Sequence, residues 1–290
     1  MSNPQATINR ILHGTLIDGP GVRIALFFQG CNFKCRYCHN PETQNFCRAC
    51  GACALTCPTA AVAEHGGVDS YRAERCVHCY QCLKTCPHHS SPHYRTLTID
   101  DLIKEVEASR DFIDGITFSG GECTLQSDFL VSAMKALRKK FGDHFSFYID
   151  SNGLIEKPHL SLLMDHASGF LLDIKAMSRK RHRFLTGKDN KLVLHNAVEM
   201  AKRRLLYEVR SVLVCNTTAI PSEIIASATF INHLAKLNAP RTLRWKLIPF
   251  RPEGVRDPRA QEEMLISKEV YDNCCRLAKR SYCEQNIITV

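Results

Sequence analysis

The sequence predicts an α/β fold in which a parallel sheet is curved into a partial (β/α)6 barrel of the TIM type. Two observations along the 290 residues predict it. Apolar, strand-like runs alternate with stretches of helical periodicity, and this alternation favours parallel strands joined by right-handed helical crossovers. Each apolar run also ends in glycine or in a polar or charged residue, as expected where a site forms at the carboxyl ends of barrel strands.

The six predicted strands cover residues 22–28, 116–119, 144–149, 169–174, 206–214 and 243–248. Helices are predicted at 99–112, 125–141, 159–166, 191–204 and 222–237. Thr98 and Asp101 have the spacing of a capping pair at the start of the first helix. A last helix at 267–280 leads to a short strand at 286–290.

The strand ends carry the candidate site. In chain order they read Gly30-Cys31, Ser119 to Glu122, Asp150 to Gly153, Asp173 with Lys175, Arg210, and Pro249 to Arg251. Taken singly, each has an ordinary explanation: Asp150 to Gly153 is a good turn, and Lys175 or Arg210 alone would be a solvated charge. Their joint position at successive strand ends favours a shared site.

Three cysteines follow the first strand with the spacing C-x3-C-x2-C, at Cys31, Cys35 and Cys38. Three thiolates suit a cubane [4Fe-4S] cluster that leaves one iron open to a small-molecule ligand. An open iron indicates chemistry, so the motif predicts an enzyme.

Eight further cysteines form two runs of the type C-x2-C-x2-C-x3-C-P, which is the spacing of two-cluster ferredoxins. In that spacing the fourth cysteine of each run ligates the other cluster. The two predicted sets are therefore Cys47, Cys50, Cys53 with Cys86, and Cys76, Cys79, Cys82 with Cys57. Zinc is the alternative, but zinc sites usually pair cysteines across a longer loop and often add histidine.

The runs predict a small inserted α+β ferredoxin-like domain at residues 45–95, within a barrel formed by residues 1–44 and 96–290. Dense cysteine could also indicate a secreted disulfide scaffold. Against that, the N-terminus has no charged segment leading into an apolar stretch, and no window has the length of a membrane span. We therefore expect a cytoplasmic protein of anaerobic growth, without membrane contact.

The formal net charge of +9 at pH 7 would ordinarily point to nucleic acid or an acidic partner. That value counts no thiolates, and three thiolate-bound clusters would lower it to about +4. The chain also lacks the interleaved aromatic and basic residues that suit nucleic acid. We therefore do not expect a nucleic-acid partner.

Motifs in the barrel resemble those of glycyl-radical enzyme activases, the radical S-adenosylmethionine (SAM) enzymes of the pyruvate formate-lyase activase type. These motifs are Ile17 to Arg23, Phe27 to Cys31, Cys38 to Pro41, Ser119 to Glu122, Asp150 to Gly153 and Leu172 to Lys175. The insert resembles the subgroup with extra clusters, and the overall length resembles the YjjW-type activases. The resemblance implies a radical SAM barrel.

The activity that the resemblance implies is reductive cleavage of SAM to methionine and a 5′-deoxyadenosyl radical. That radical removes a hydrogen atom from a backbone glycine of a partner glycyl-radical enzyme. Three [4Fe-4S] clusters, SAM, a flavodoxin or ferredoxin-type electron donor and a monovalent cation are the implied cofactors and partners. The insert would relay electrons, or dock a partner, or be structural.

Residue roles also follow from the resemblance. The open iron of the Cys31, Cys35 and Cys38 cluster would chelate SAM. Methionine would lie along Gly120 and Gly121, and its ammonium group would donate to Glu122. The remaining implied contacts are Tyr37 and the backbone near His39 for adenine, Asp150 and Ser151 for the ribose region or a cation, Asp173 for the cation, Lys175 for the carboxylate, and Asp18 and Arg210 for the incoming glycine loop.

One position departs from the family pattern. Where that pattern reads Leu-Leu-Pro-Tyr-His, this chain reads Leu-Ile-Pro-Phe-Arg and ends at Arg251. Arginine can donate to a carboxylate or ribose but cannot accept, so the family's SAM contact does not carry over unchanged. Arg251 is kept as a candidate SAM contact.

Two other functions are compatible with the motifs. The cluster motif alone also permits a radical SAM enzyme that acts on a small molecule or RNA. An electron-transfer protein whose barrel merely binds SAM is the second alternative. Reductant-dependent SAM cleavage separates that protein from both kinds of enzyme.

Overall fold

The computed structural model describes residues 4–63, 66–283 and 286–290. Through these residues runs a sheet with the strand order β3-β1-β2-β4-β5-β6-β7-β8-β9. Its strands are β1 (Gln5–Thr15), β2 (Arg23–Phe28), β3 (Arg95–Thr98), β4 (Gly115–Gly120), β5 (Ser146–Ser151), β6 (Gly169–Asp173), β7 (Leu206–Leu213), β8 (Arg244–Pro249) and β9 (Ile287–Thr289).

The six predicted barrel strands are confirmed as β2 and β4 to β8, and each is parallel to its neighbours within this group. The short C-terminal strand is also confirmed, since β9 pairs parallel with β8. Spatial order follows chain order from β2 to β9, so the carboxyl ends of all these strands meet at one edge of an open sheet. That edge carries the candidate site.

The sequence did not predict β1 and β3. Strand β1 is antiparallel to both β2 and β3 and forms the antiparallel end of the sheet. Its side chains are mostly exposed or half-buried, so its apolar alternation is weak. Strand β3 begins at Arg95, the last residue assigned to the insert, and Arg95 pairs with Ile8 in the sheet.

The helices are α1 (Gln81–Thr85), α2 (Ile99–Glu107), α3 (Ser127–Phe141), α4 (Lys157–Met164), α5 (Arg179–Thr186), α6 (Lys191–Lys202), α7 (Pro221–Asn238), α8 (Pro258–Glu263) and α9 (Lys268–Ser281). Helices α1, α5 and α8 were not predicted. None of the helices that the structure describes is long and apolar enough to cross a membrane.

The prediction for the first helix was right at its start and wrong at its end. Thr98 and Asp101 form the reciprocal capping box, with Asp101 N donating to Thr98 Oγ1 (3.1 Å) and Thr98 N to Asp101 Oδ2 (3.2 Å). The helix ends at Glu107, followed by a 3-10 turn at Arg110–Phe112. Phe112 is exposed, so no buried contact extends the helix to that residue.

The parallel strands are buried because helices cover the sheet. Every residue of β2 is buried, and Phe28 and Phe118 from neighbouring strands contact each other edge to face. These residues join Phe129 of α3 in the main core. Continuous burial of this kind is characteristic of parallel sheets, and it fixes where each strand ends.

Residues 45–63 and 66–94, which lie between β2 and β3, have little regular structure. They contain α1, short 3-10 turns and an isolated antiparallel bridge between Val62 and Tyr71. Their own buried cluster consists of Cys53, Val62 and Cys82. A core this small does not normally hold a domain without metal or disulfide cross-links.

Candidate functional site

The loop with Cys31, Cys35 and Cys38 begins three residues after the end of β2 and is held by backbone hydrogen bonds. Lys34 N donates to Thr186 O (3.0 Å) and Arg36 N donates to Leu185 O (2.9 Å), so the last carbonyls of α5 grip the middle of the loop. On its other side, Cys31 N donates to Gln44 O (3.0 Å). The three thiols are therefore positioned by the fold.

Burial raises the pKa of all three thiols, to about 12 for Cys35. A bare thiolate is unfavourable in such a place, whereas metal coordination deprotonates a thiol outright. Beside them, the hydroxyl of Tyr37 is buried without a hydrogen-bond partner in the described chain. The three buried thiols would be stable as thiolates on a metal, and the Tyr37 hydroxyl beside them lacks a partner. Together these groups fit an iron-sulfur cluster that carries a polar ligand.

Glu122, at the end of β4, is buried and organises the next strand end. Its Oε1 accepts from Thr124 Oγ1 (2.6 Å) and Ser151 Oγ (2.8 Å), and its Oε2 accepts from Asn152 N (2.8 Å). Burial raises the pKa of this carboxyl, and these donors oppose the rise. Glu122 thus ties the ends of β4 and β5 together, and Oε2 accepts one hydrogen bond within the described residues.

The two glycines of this motif are explained by packing. Gly120 has φ +108, and a side chain there would overlap the backbone of Phe28. A side chain on Gly121 would overlap the carbonyl of Gly30. The structure shows that these glycines allow β4 to approach the start of the cluster loop. That a ligand also approaches their backbone closely stays a prediction.

Asp150, near the end of β5, forms an ion pair with Arg210, which lies within β7. Arg210 Nη1 lies 3.0 Å from Asp150 Oδ2, and its Nε lies 2.7 Å from Glu208 Oε1. Ser119 Oγ also donates to Asp150 (2.9 Å). Burial raises the pKa of Asp150, and Arg210 opposes that shift. The guanidinium therefore connects two nearly buried carboxylates.

The loop before β2 reaches the same place. Arg210 Nη2 donates to Ile17 O (3.2 Å), and the next residue, Asp18, accepts from Thr15 Oγ1 (2.7 Å). Asp18 is only partly buried. The structure thus brings Asp18 and Arg210 to one side of the site, and their role toward an incoming glycine loop stays a prediction.

Lys175, after β6, is paired within the chain. Its Nζ lies 2.6 Å from Asp173 Oδ2 and 5.6 Å from the centre of the Tyr37 ring. Burial alone would lower the pKa of Lys175, but Asp173, Tyr37 and Cys35 raise it well above its ordinary value. Lys175 is therefore a firm cation beside the cluster cysteines.

His39 and Arg251 lie at the outer end of the site. The His39 ring packs against Phe250, with 6.3 Å between ring centres. Burial lowers the pKa of His39, and the charges of Lys175 and Arg251 act in the same direction. The Arg251 side chain is exposed and makes no hydrogen bond or ion pair with the described residues. The position of the Arg251 side chain is therefore not fixed by a hydrogen bond or an ion pair with the described residues.

The insert brings its cysteines together in two small cavities. One is lined by Cys47, Cys50, Cys53, Cys82 and Cys86, and the other by Cys57, Cys76, Cys79 and Cys82, so Cys82 lines both. Apart from the shared Cys82, the grouping is the one that the ferredoxin spacing predicts, and the ligation of two clusters stays a prediction. Within the described chain, no three cysteine, histidine or carboxylate side chains converge on one metal ion.

Three contributors were missed from the sequence. Asn152 Nδ2 donates to Asn32 Oδ1 (2.8 Å) and lies 3.9 Å from Cys31 Sγ. His93 is half-buried in the insert and its Nε2 lies 3.3 Å from Cys82 Sγ. Arg256 lies between the barrel loop and the insert. Asn152 stood inside a quoted motif, but nothing in the local sequence marks Arg256.

Comparisons with known proteins agree with this geometry. The family model described as the radical SAM superfamily matches residues 73–224, and the model of a 4Fe-4S single cluster domain matches residues 17–58. Among solved structures, QueE from Escherichia coli has a TM-score of 0.51 at 14% identity, covering 99% of this chain and 94% of that one. Streptococcus suis SuiB bound to S-adenosylmethionine has a TM-score of 0.56 at 12% identity, covering 92% of this chain and 51% of that one. These two likenesses show the fold alone.

Curated relatives are closer in sequence. The trans-4-hydroxy-L-proline dehydratase activating enzyme of Clostridioides difficile is 30% identical, covering 82% of both chains. The isethionate sulfite-lyase activating enzyme of Desulfovibrio desulfuricans is 27% identical, over 86% of this chain and 84% of that one. The chain therefore belongs to the radical SAM superfamily, as a glycyl-radical enzyme activating enzyme that cleaves SAM and installs a glycyl radical on a partner enzyme.

Proposed function

We propose that this activating enzyme carries three [4Fe-4S] clusters and passes electrons from a flavodoxin or ferredoxin-type donor through the insert to the barrel. The observation that carries the proposal is the grouping of the eight insert cysteines around two small cavities, with Cys82 lining both. Residues 45–95 would be a separate iron-sulfur domain within a barrel of residues 1–44 and 96–290. Thiolate ligands suit the reducing cytoplasm, where we place the enzyme.

In the barrel, Cys31, Cys35 and Cys38 would hold the cluster whose open iron binds SAM. When bound, the cluster and SAM supply the electron and the 5′-deoxyadenosyl radical. The chain's own residues bind and orient. Lys175 is a firm cation for the SAM carboxylate, and the unpartnered Tyr37 hydroxyl is a donor beside it.

The carboxylates complete the SAM side of the site. Glu122 Oε2 accepts one hydrogen bond, from Asn152 N, and as a carboxylate oxygen it can accept a second one from an ammonium group. Asp150 and Ser151, at the end of β5, would face the ribose region. Asp173 Oδ2 already pairs with the Lys175 ammonium at 2.6 Å. A monovalent cation between Asp150 and Asp173 would therefore share the Asp173 carboxylate with Lys175.

The adenine side is formed by the cluster loop. Tyr37 is buried with Phe250 and Val255 in a small apolar cluster separate from the main core, which suits a planar base. The backbone near His39 would read the edge of the base. Arg251 stands exposed near His39 and would reach only the outer part of SAM.

The test is the iron content of the anaerobically reconstituted enzyme. Three clusters predict about 12 iron atoms per chain, and Cys35→Ala should keep about 8 while losing SAM cleavage. Cys215→Ala, outside every predicted set, is the control and should keep both iron and cleavage. Iron near 4 per chain in the unaltered enzyme, or stoichiometric zinc, contradicts the proposal.

A further inference from the structure

The loop after β8 reaches from the barrel toward the insert and is held firmly. Val255 N donates to Pro252 O (3.1 Å), and the Val255 side chain is buried in the cluster that contains Tyr37. Gly254, at φ +82, packs so closely on His39 that a side chain would press on the His39 carbonyl. These contacts fix the backbone from which the next residue, Arg256, extends.

Arg256 lies between the two kinds of cysteine site. It lines a cavity that also contains Cys35 and Cys38, and it lines the neighbouring cleft that contains Cys86. Its Nη2 lies 3.4 Å from Ser90 O, and Ser90 N lies 3.4 Å from Cys86 Sγ. The guanidinium therefore lies in the gap between the barrel cysteines Cys35 and Cys38 and the insert cysteine Cys86. Its Nη1 is buried and has no acceptor among the described residues.

The insert presents one of its two cysteine sets to this gap. The set with Cys86 adjoins the barrel, since Cys86 lines one cleft with the barrel residues Arg10 and His39, and Gln29 Nε2 donates to Asn45 O (2.6 Å). Both cysteine cavities are lined, among described residues, by insert residues alone, but Cys86 is the one insert cysteine that also lines this cleft. Electrons crossing the insert would thus leave it on the Cys86 side.

A cation in this gap has a definite electrostatic effect. Reduction adds one negative charge to a cluster that is already anionic. Two such clusters repel each other across a gap of low dielectric, and a fixed positive charge between them favours the reduced form of each. Arginine suits this place because it stays charged and its planar fork can donate on two sides.

We infer that Arg256 is a positioning residue for electron transfer, which holds the Cys86 side of the insert against the barrel site and raises the reduction potentials of the two clusters that flank it. The inference rests on the three-cluster assignment proposed above. The step it assists moves one electron from the Cys86-side cluster to the barrel cluster, with the protein donor as the reductant.

The test compares Arg256→Gln and Arg256→Lys with Arg10→Gln in the reconstituted enzyme. Arg10 lines the cleft with Cys86 but not the cavity with Cys35, and its Nη2 is bonded to Asn40 Oδ1 (2.8 Å). The readout is a redox titration followed by electron paramagnetic resonance, in which added SAM marks the barrel cluster. This readout is independent of activity.

In Arg256→Gln, the ratio of reduced to oxidised form should fall about tenfold at a fixed ambient potential, a shift of about 59 mV for one electron. This fall should occur at the barrel cluster and at one insert cluster. At the third cluster the ratio should stay within twofold of its value in the unaltered enzyme. Arg256→Lys should recover most of it, and Arg10→Gln should stay within twofold at all three. Unchanged ratios in Arg256→Gln, or an equal fall at all three clusters, would overturn the inference.

Iron content separates the remaining outcomes. Iron loss in Arg256→Gln that Arg256→Lys prevents supports a role for the charge, whereas equal iron loss in both variants overturns it. Fewer than three clusters in the unaltered enzyme would instead refute the cluster assignment on which the inference rests.

Discussion

At the scale of single residues, Arg210 and Asp18 differ in what depends on them. Arg210 neutralises both Asp150 and Glu208, which are nearly buried. Glu208 also pairs with Arg244 (3.4 Å), so removing the Arg210 charge would leave Asp150 as the nearly buried carboxylate without its cation, which is strongly destabilising. Asp18 is partly exposed and its carboxylate accepts from Thr15, so no buried charge relies on it. The sequence treats the two residues alike, and only the ion pair separates them.

We therefore expect Asp18→Asn to leave uncoupled SAM cleavage within about twofold of the unaltered enzyme. Radical transfer to the partner should fall roughly tenfold to a hundredfold, since a charge-assisted hydrogen bond contributes about 1.5 to 3 kcal/mol. Arg210→Gln should lower both activities, because Asp150 then loses its cation. The measurements are release of 5′-deoxyadenosine and the glycyl doublet in anaerobic electron paramagnetic resonance.

Two outcomes would contradict that expectation. Asp18→Asn could lower SAM cleavage as much as radical transfer, which would place Asp18 on the SAM side of the site. Arg210→Gln could leave SAM cleavage intact, which would mean that the Asp150 ion pair is dispensable. As a control, Arg203→Gln removes an ion pair to Asp165 that lies on the exposed surface, and both activities should persist.

At the scale of elements, α5 shows what sequence periodicity misses. Its eight residues are mostly charged or polar, so the apolar pattern that marks a helix is weak. Its carbonyls at Leu185 and Thr186 nevertheless accept from the cluster loop. The six parallel strands, by contrast, were predictable because continuous burial leaves long apolar runs in the sequence.

Helix α5 also contains a buried histidine. His182 packs edge to face on Phe33 of the cluster loop, with 5.5 Å between ring centres, and its Nδ1 lies 2.9 Å from Lys188 O. Its Nε2 has no hydrogen-bond partner in the described residues. Burial lowers the pKa of His182, and the charge of Lys175 acts the same way. The neutral ring is therefore the form that the fold accepts.

This predicts a loss of stability in acid. Because the folded pKa lies below the unfolded value of about 6.5, the unfolded chain binds the proton first as the pH falls. The stability of the neutral ring is complete above about pH 6.5 and is lost as the pH falls toward the folded pKa. We expect His182→Gln to reduce the difference in Tm between pH 7.5 and pH 5.5, measured at equal iron content.

The exposed His233 gives the matched control. His233→Gln should leave the pH dependence of Tm unchanged, because its side chain is exposed rather than buried in the fold. An unaltered pH dependence in His182→Gln would show that the acid transition belongs to other groups. A common change in both variants would have the same meaning.

At the scale of the whole molecule, the sequence predicted the parts better than their arrangement. Cysteine spacing predicts two crossed sets, because ferredoxin ligation is local and periodic, and that assignment stays a prediction. The spacing could not predict that the set with Cys86 faces the barrel, since that depends on contacts such as Gln29 with Asn45. It also could not reveal Arg256, whose neighbours come from three separate segments.

The arrangement makes the role of the insert testable as a unit. Cys50 and Cys79 are the exposed members of the two sets, so their replacement removes cluster ligands without opening the apolar core. The Cys50→Ala, Cys79→Ala double variant should keep SAM cleavage driven by a strong chemical reductant, because the barrel cysteines are untouched. Cleavage driven by a protein donor should fall at least tenfold, since the relay through the insert is broken.

The control for this experiment is Cys283→Ala, which also removes an exposed cysteine but lies outside the predicted sets. It should respond like the unaltered enzyme to both reductants. Equal loss of cleavage with chemical and protein reductants in the double variant would mean that the insert is structural. Full activity with the protein donor would mean that electrons enter the barrel directly, through the cavity that contains Cys35, Cys38 and the cations Lys34 and Arg36.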